Sequence, residues 1–397
     1  MKYSEVQQRF LALQKYVEDQ NYAGWDPYDG LNSRLFQITP LRYSRFARLA
    51  WIQLFKRIPI NLRVITGVPK GHNPKGLALF LSAYVHQQKL NPLKERQSKI
   101  DLLVREIVSL QTPGYAGACW GYNFDWQARA FFQPRRTPTV VATSYVANAL
   151  LDAFEISKDP ELLRIARSSC DFILKDLNRS YDEHGDFSFS YSPLDQTKIY
   201  NASLLGSRLL LRVFTHTHED HLRTTALQSV RYCCRGQQAD GSWAYGTLPF
   251  HQWIDNFHSG FNLECLHDII KFSGDTSFTP FLEKGKKYYF ENFFTEKGES
   301  KFYNNKLYPV DIHAPAQLVI VVYRLGLQQE QGELVKRVMD WTLTHMQDRK
   351  GYFYYQIKKG MNSKIPYMRW AQAWMYFGLS LYLTLFENEG NQESKAI

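Results

Sequence analysis

The feature that most restricts the fold of this 397-residue chain is an internal repeat of about 50 to 65 residues. Each copy runs through a helical stretch, a Gly-containing turn, a short aromatic segment, a polar loop and a second helix of small and apolar residues. The aromatic segments lie at 120–124, 187–191, 243–246, 302–305 and 353–356. The helices that follow them are predicted at 139–154, 200–214, 256–272, 314–325 and 370–385. A sixth is predicted at 74–87, with Pro74 in its first turn, where a missing N–H costs nothing. Between them, 100–111, 160–177, 219–235, 281–294 and 330–346 repeat apolar residues at three- and four-residue spacing with charges on the other face. The alternation of half-charged with wholly apolar helices predicts an outer and an inner ring. Six hairpins closing on themselves give an all-α (α/α)6 toroid. An open solenoid is the alternative. The longer unit, the count of six and the placement of every aromatic turn before an inner helix favour closure around one mouth.

Residues 61–386 are therefore expected to form the ring as a single domain. Residues 1–60 would be a helix and arm packed on it, with 22–59 rich in turn chemistry (Gly24-Trp25-Asp26-Pro27-Tyr28-Asp29-Gly30), and 387–397 a frayed polar tail. Strands should be few, with 187–192 a short hairpin arm at the rim.

Composition narrows the function. No window reaches the roughly 20 apolar residues of a membrane span. Residues 1–6 carry no secretory signal, so a cytoplasmic protein is expected, with a peripheral place at the inner membrane as an option. The five cysteines are scattered without a C-x-x-C spacing, against both a disulfide framework and a zinc site. The net charge of +10 suits an acidic partner, but no nucleic-acid-binding signature accompanies it. Aromatic residues make up 15 % of the chain, enough both to hold a ring together and to stack on sugars.

In such a ring the cleft lies where loops meet the starts of the inner helices. Polar residues there include His72, Asn73, Lys75, Thr137, Arg135, Arg136, Tyr200, Asn201, Asn256, Tyr367, Arg369 and Trp370. Asp255 and Asp311 hold equivalent places in adjacent repeats, followed by His258 and His313, and Asp125 stands between the aromatics Phe124 and Trp126. Paired carboxylates at an aromatic mouth suit glycoside cleavage, although Asp before a helix is also a preferred cap. Asp255, Asp311, His258, His313 and Asp125 are the catalytic candidates. Asn123, Trp126, Arg135, Arg136, Tyr191, Tyr200, Asn201, Tyr245, Asn256, Tyr367, Arg369 and Trp370 are the substrate-binding ones. No metal and no cofactor are expected. The aromatic shared by every copy (Trp120, Phe187, Trp243, Phe302, Phe353) reads as a plug between hairpins, because a site uses residues that differ between repeats.

Two resemblances add to this. The segments Gly24-Trp25-Asp26-Pro27-Tyr28-Asp29-Gly30-Leu31-Asn32-Ser33, Gly71-His72-Asn73-Pro74-Lys75-Gly76-Leu77, Gly121-Tyr122-Asn123-Phe124-Asp125-Trp126-Gln127 and Asp255-Asn256-Phe257-His258-Ser259-Gly260 resemble VpsJ-like bacterial exopolysaccharide and capsule biosynthesis proteins. That resemblance implies an α/α toroid and a role in making or trimming a surface polysaccharide, without a settled reaction. Gln237-Gln238-Ala239-Asp240-Gly241-Ser242-Trp243, with a degenerate copy at 347–353, is similar to the Gln-Trp motif of terpenoid cyclases, which implies a helix staple. The Asp-x-Asp-Asp acid of those enzymes is absent. Three readings follow. The first is cleavage of a polysaccharide or lipid-linked oligosaccharide, anionic in character, by Asp255 and Asp311. The second is lyase or C5-epimerase chemistry on a uronic acid, with Arg369, Asn201 or Asn256 neutralising the carboxylate and His258, His313 or a Tyr moving the proton. The third is a non-catalytic glycan-binding or scaffold role in a membrane-bound synthesis complex.

Overall fold

A computed structural model of the chain describes residues 1–129 and 131–395. Helix α1 (Tyr3–Asp19) leads into an arm carrying α2 (Arg34–Gln37), α3 (Arg45–Arg57) and α4 (Leu62–Thr66). Five hairpins follow, each an inner helix and then its outer partner. They are α5 (Pro74–Leu90) with α6 (Lys94–Ser109), α7 (Val140–Ser157) with α8 (Pro160–Lys175), and α9 (Tyr200–Thr217) with α10 (Asp220–Arg235). The last two are α11 (Asn256–Ser273) with α12 (Thr279–Asn292), and α13 (His313–Leu325) with α14 (Gln328–Met346). The sixth inner helix, α15 (Trp374–Leu385), is preceded by a π-helical turn, Met368–Ala373, and followed by α16 (Glu387–Lys395). Each inner helix packs on the next and α15 returns to α5, so the ring is closed. Among the described residues no helix is long and apolar enough to cross a membrane.

The inner helices are buried nearly all round because they have neighbours on every side. Outer helices bury one face: in α8, Leu162, Ile165, Ala166, Ser169, Cys170, Phe172 and Ile173 turn inward. The five cysteines are free and buried. The outer place beside α15 is taken by α1, through Val6, Phe10, Leu13 and Val17.

The turns that follow the outer helices are built alike. Trp120 Nε1 donates to the Ile107 carbonyl at 2.8 Å and Trp243 Nε1 to that of Cys233 at 2.9 Å, each ring plugging the end of the preceding outer helix. Gln237 donates to the carbonyls of Gly241 in its own turn and Phe281 on the next outer helix, both at 2.9 Å. Gln347 does the same to Gly351 and Arg9, closing the ring onto α1. The staple implied by the Gln-Trp likeness is thus present twice. Gly351 has φ +93°, and a Cβ there would stand 2.3 Å from the Ala12 carbonyl oxygen. Gly351→Ala is therefore expected to cost about 2–3 kcal/mol in urea denaturation, from backbone strain and loss of this seam.

Two regions differ from expectation. The arm, read as turn chemistry, holds the 13-residue helix α3, whose Ile52 and Phe55 fold back under the arm and whose start is capped by Ser44. Turn residues crowd only its first part, and α3 lies beyond them. The tail expected to fray is the helix α16. Glu393 accepts from the backbone N–H groups of Tyr3 and Ser4 at the exposed start of α1, and Glu389 pairs with Lys336. Strands are confined to the rim. They form the hairpins β1 (Trp126–Gln127) with β2 (Phe132–Gln133) and β3 (Arg179–Tyr181) with β4 (Phe187–Phe189). An antiparallel sheet of β5 (Lys301–Tyr303), β6 (Lys306–Asp311), β7 (Gln356–Lys358) and β8 (Met361–Ser363) joins the last two rim loops.

Candidate active site

All six inner helices begin at one end of the ring, and there a cleft of about 400 Å³ opens. Each inner helix or its leading turn supplies lining residues: Lys75, Val141, Asn201, His258, His313 and Arg369. Loops add Tyr122, Trp126, Tyr191, Tyr245, Trp253 and Tyr303, and the arm adds Tyr28, Ile52 and Lys56. Six helix starts aimed at one space sum their partial positive charges and favour negative charge on an occupant.

Asp255 caps α11: its Oδ1 accepts the His258 backbone N–H at 2.9 Å. The same carboxylate receives His258 Nδ1 at 2.8 and 3.0 Å. A carboxylate only accepts, so Nδ1 carries a proton, and in the neutral ring the lone pair is left on Nε2, on a ring that lines the cleft. This is the geometry of an oriented general base. Tyr245 stacks on Trp253 at 4.3 Å and packs against His258 at 4.7 Å.

His313, which also lines the cleft, is 2 % exposed, stacked on Phe257 at 4.4 Å and against Trp374 at 4.1 Å. Neither of its ring nitrogens has a partner, and the Asn201 Oδ1 is equally orphaned. Burial, then the nearby Lys75, His258 and Arg369, hold His313 well below the usual histidine range, so it is neutral at pH 7. Lys75 stands over the Tyr145 ring at 4.2 Å. Burial and then the Arg369 guanidinium keep its amine well below the ordinary lysine value. Arg369 itself is gripped by both oxygens of Asp26, at 2.5 and 2.8 Å, which sets it in place while neutralising it.

Of the residues chosen from sequence, Asp255, His258, His313, Trp126, Tyr191, Asn201, Tyr245, Arg369 and Trp370 meet in the cleft. The others do not. Asp311 is fully buried beneath it, accepting from the His313 N–H at 3.0 Å, Trp370 Nε1 at 2.9 Å and Gln356 at 2.6 Å; it braces the wall and does not pair with Asp255. Asp125 holds the Arg135 backbone N–H, and Asn123 anchors Asn73 and the arm's Asn32. Arg135 and Arg136 point into solvent from the turn after β2. Tyr200 turns outward against Tyr232, Asn256 accepts from Tyr289 on the outer ring, and Tyr367 lies under Arg63 behind the arm. The first residue of a helix need not face the axis, and a hundred-degree step per residue separates Tyr200 from Asn201 and Asn256 from Phe257. Reasoning from sequence missed Asp26, Tyr28 and Trp253. Lys75 stands among the polar helix starts, and its place one residue after Pro74 is the signal the sequence offers for it. Among the described residues no group of three or more His, Cys, Asp or Glu could hold a metal.

Burial pushes the Asp311 carboxyl up to about 6 against 3.8 for the unfolded chain, so the folded state takes up its proton more readily. This group's contribution to stability is therefore present below about pH 4 and lost as the pH rises through about 6. Asp311→Asn is expected to abolish that slope, on the order of 2–3 kcal/mol, in denaturation followed from pH 4 to 7. It should leave turnover nearly intact, the opposite of what a catalytic carboxylate would do.

The closed ring and its aromatic cleft define an (α/α)6 toroid, and solved structures of that fold superpose on the chain. A sugar epimerase from a ruminal bacterium matches with TM-score 0.63 at 12% identity, over 96% of this chain and 98% of that one. Cellobiose 2-epimerase from Bacillus thermoamylovorans gives 0.61 at 13%, over 80% and 89%. An unsaturated glucuronyl hydrolase specific for heparin gives 0.62 at 10%, over 97% of both chains. At such identities the likeness is one of fold. No protein-family profile matches the sequence, and no curated protein does.

Proposed function

We propose that the chain is a carbohydrate-active enzyme that removes and returns a proton at a sugar carbon next to a carbonyl or carboxylate, the chemistry of epimerases, isomerases and lyases. The observation that carries this is the Asp255–His258 dyad together with the unpartnered His313, both rings packed on Phe257, in a cleft where Asp255 is the single lining carboxylate among the described residues. Glycoside cleavage by the usual route needs two carboxylates flanking the bond. Here the only lining one is already engaged by an imidazole, and Asp311 is sealed behind Trp370.

His258 Nε2 takes the proton, and its Nδ1–H bond to Asp255 stabilises the imidazolium that results. Negative charge then develops on the substrate's carbonyl or carboxylate oxygen, in the field of the helix starts and beside Lys75. Neutral His313 offers one N–H and one lone pair to that oxygen or to a neighbouring hydroxyl. A polyhydroxylated ligand would also satisfy Asn201, and Trp126, Tyr191 and Tyr245 give its ring apolar faces. The fold's epimerases and glucuronyl hydrolase support a sugar as occupant, and the VpsJ-like resemblance supports a surface polysaccharide or its lipid-linked precursor.

The test is incubation of reducing sugars and uronate oligosaccharides with the protein in D2O, followed by NMR. Deuterium should enter at the carbon next to the carbonyl or carboxylate; an elimination would show instead as a 4,5-unsaturated uronate. New reducing ends without exchange or unsaturation would mean hydrolysis and sink the proposal.

A further inference from the structure

Residues 30–94 contain no Asp or Glu, in a chain with 38 of them, while 34–70 carries eight Lys or Arg, seven of them besides the buried Arg63. The same stretch leaves its apolar side chains in water. Nine of the seventeen exposed large apolar residues among those described fall within 35–65, including Ile38 at 81 %, Tyr43 at 73 %, Phe46 at 82 % and Ile65 at 77 %. Elsewhere such residues are scattered singly, as on most soluble surfaces; here they are concentrated, which marks an interaction surface. The arm is not loosely attached. Arg63 holds Asp29 at 2.6 Å and the Asp26 carbonyl at 2.7 Å, and Trp51 donates to Gly30. The exposed groups are thus presented by an anchored scaffold.

We propose that this arm docks on the surface of an anionic lipid bilayer. Cations interleaved with apolar side chains along one segment suit the boundary between headgroups and acyl chains: the apolar groups enter while Arg and Lys reach back to phosphates. The absence of any acid over this length removes the repulsion an anionic surface would otherwise meet. Ile52 and Lys56 of α3 line the cleft, so the docked arm lies beside its mouth. A bilayer there would present a saccharide carried on a membrane lipid to His258; this last consequence rests on the proposed sugar chemistry, whereas the docking does not.

The test uses the full chain with sedimented vesicles, either pure phosphatidylcholine or phosphatidylcholine with about one-third phosphatidylglycerol. Binding is expected to the second and not the first, and to weaken with added salt. Ile38→Ser with Phe46→Ser should reduce partitioning about tenfold or more. Arg42→Ser with Arg57→Ser should reduce it several-fold at low salt. All four side chains are exposed, so urea midpoints should stay unchanged. Equal binding to both vesicles, no binding to either, or full binding by the Ile38/Phe46 variant would overturn the proposal. So would light scattering that shows a dimer which the Ile38/Phe46 variant dissociates, because the patch would then belong to a second copy. Vesicle binding and deuterium exchange read different surfaces, so either proposal can fail while the other stands.

Discussion

His258→Gln is expected to lower kcat by about 10²–10⁴-fold, the usual worth of a positioned general base, with little change in KM or in folding. Glutamine keeps the size and a polar tip but cannot accept a carbon-bound proton near neutral pH. Asp255→Asn should come close to the same loss by another route. Asparagine still caps α11, so stability is retained. Its amide N–H2, set where Oδ2 now receives Nδ1 at 2.8 Å, would favour the tautomer with the proton on Nε2, the wrong nitrogen for a base. Both variants should lose deuterium exchange together. Full activity in His258→Gln alongside an inactive Asp255→Asn would make the carboxylate the reacting group and overturn the scheme.

Asp26→Ala is expected to be the most destabilising substitution at the site, by about 3–5 kcal/mol in urea denaturation at pH 7. Asp26 and Arg369 are 4 % and 5 % exposed, and removal of the carboxylate leaves a guanidinium buried against Tyr122 and Trp370 with no counter-charge. The same change removes the arm's side-chain tie to the π-helical turn before α15 and the bond from the Tyr28 N–H that orders the arm's own turn. Asp26→Ala combined with Arg369→Met should recover most of the loss, since the penalty lies in the unpaired charge and not in the missing bond. An additive double variant would show that Asp26 acts through the arm's backbone alone.

The ring was legible because periodicity is a local property. A helix buried on all sides must be apolar all round and one buried on a single face must alternate, and five repetitions of that contrast with a sixth inner helix leave few ways to close. Two of the shared aromatics act as plugs for the same reason, Trp120 and Trp243 making the same bond in equivalent turns, whereas Phe302, at the matching place in a later repeat, is half-buried and lines the cleft. The site was half legible. Asp255 and His258 are neighbours in one helical turn, so their pairing follows from sequence spacing. Asp311 occupies the matching place in the next repeat, yet its carboxylate turns to Trp370 and Gln356, and nothing in a three-residue window distinguishes the two.

What the sequence determined by itself is the architecture and the end of the ring where chemistry would sit, since both follow from which residues avoid water and where helices begin. Only the tertiary structure decided which groups face the cleft. Lys75, His313 and Arg369, the last held by Asp26, are brought together from the two ends of the chain by ring closure. Their burial gives His313 its unpaired neutral ring and Arg369 its fixed partner. Burial at one point of a closed ring depends on all six inner helices and their outer partners at once, and no local pattern carries it.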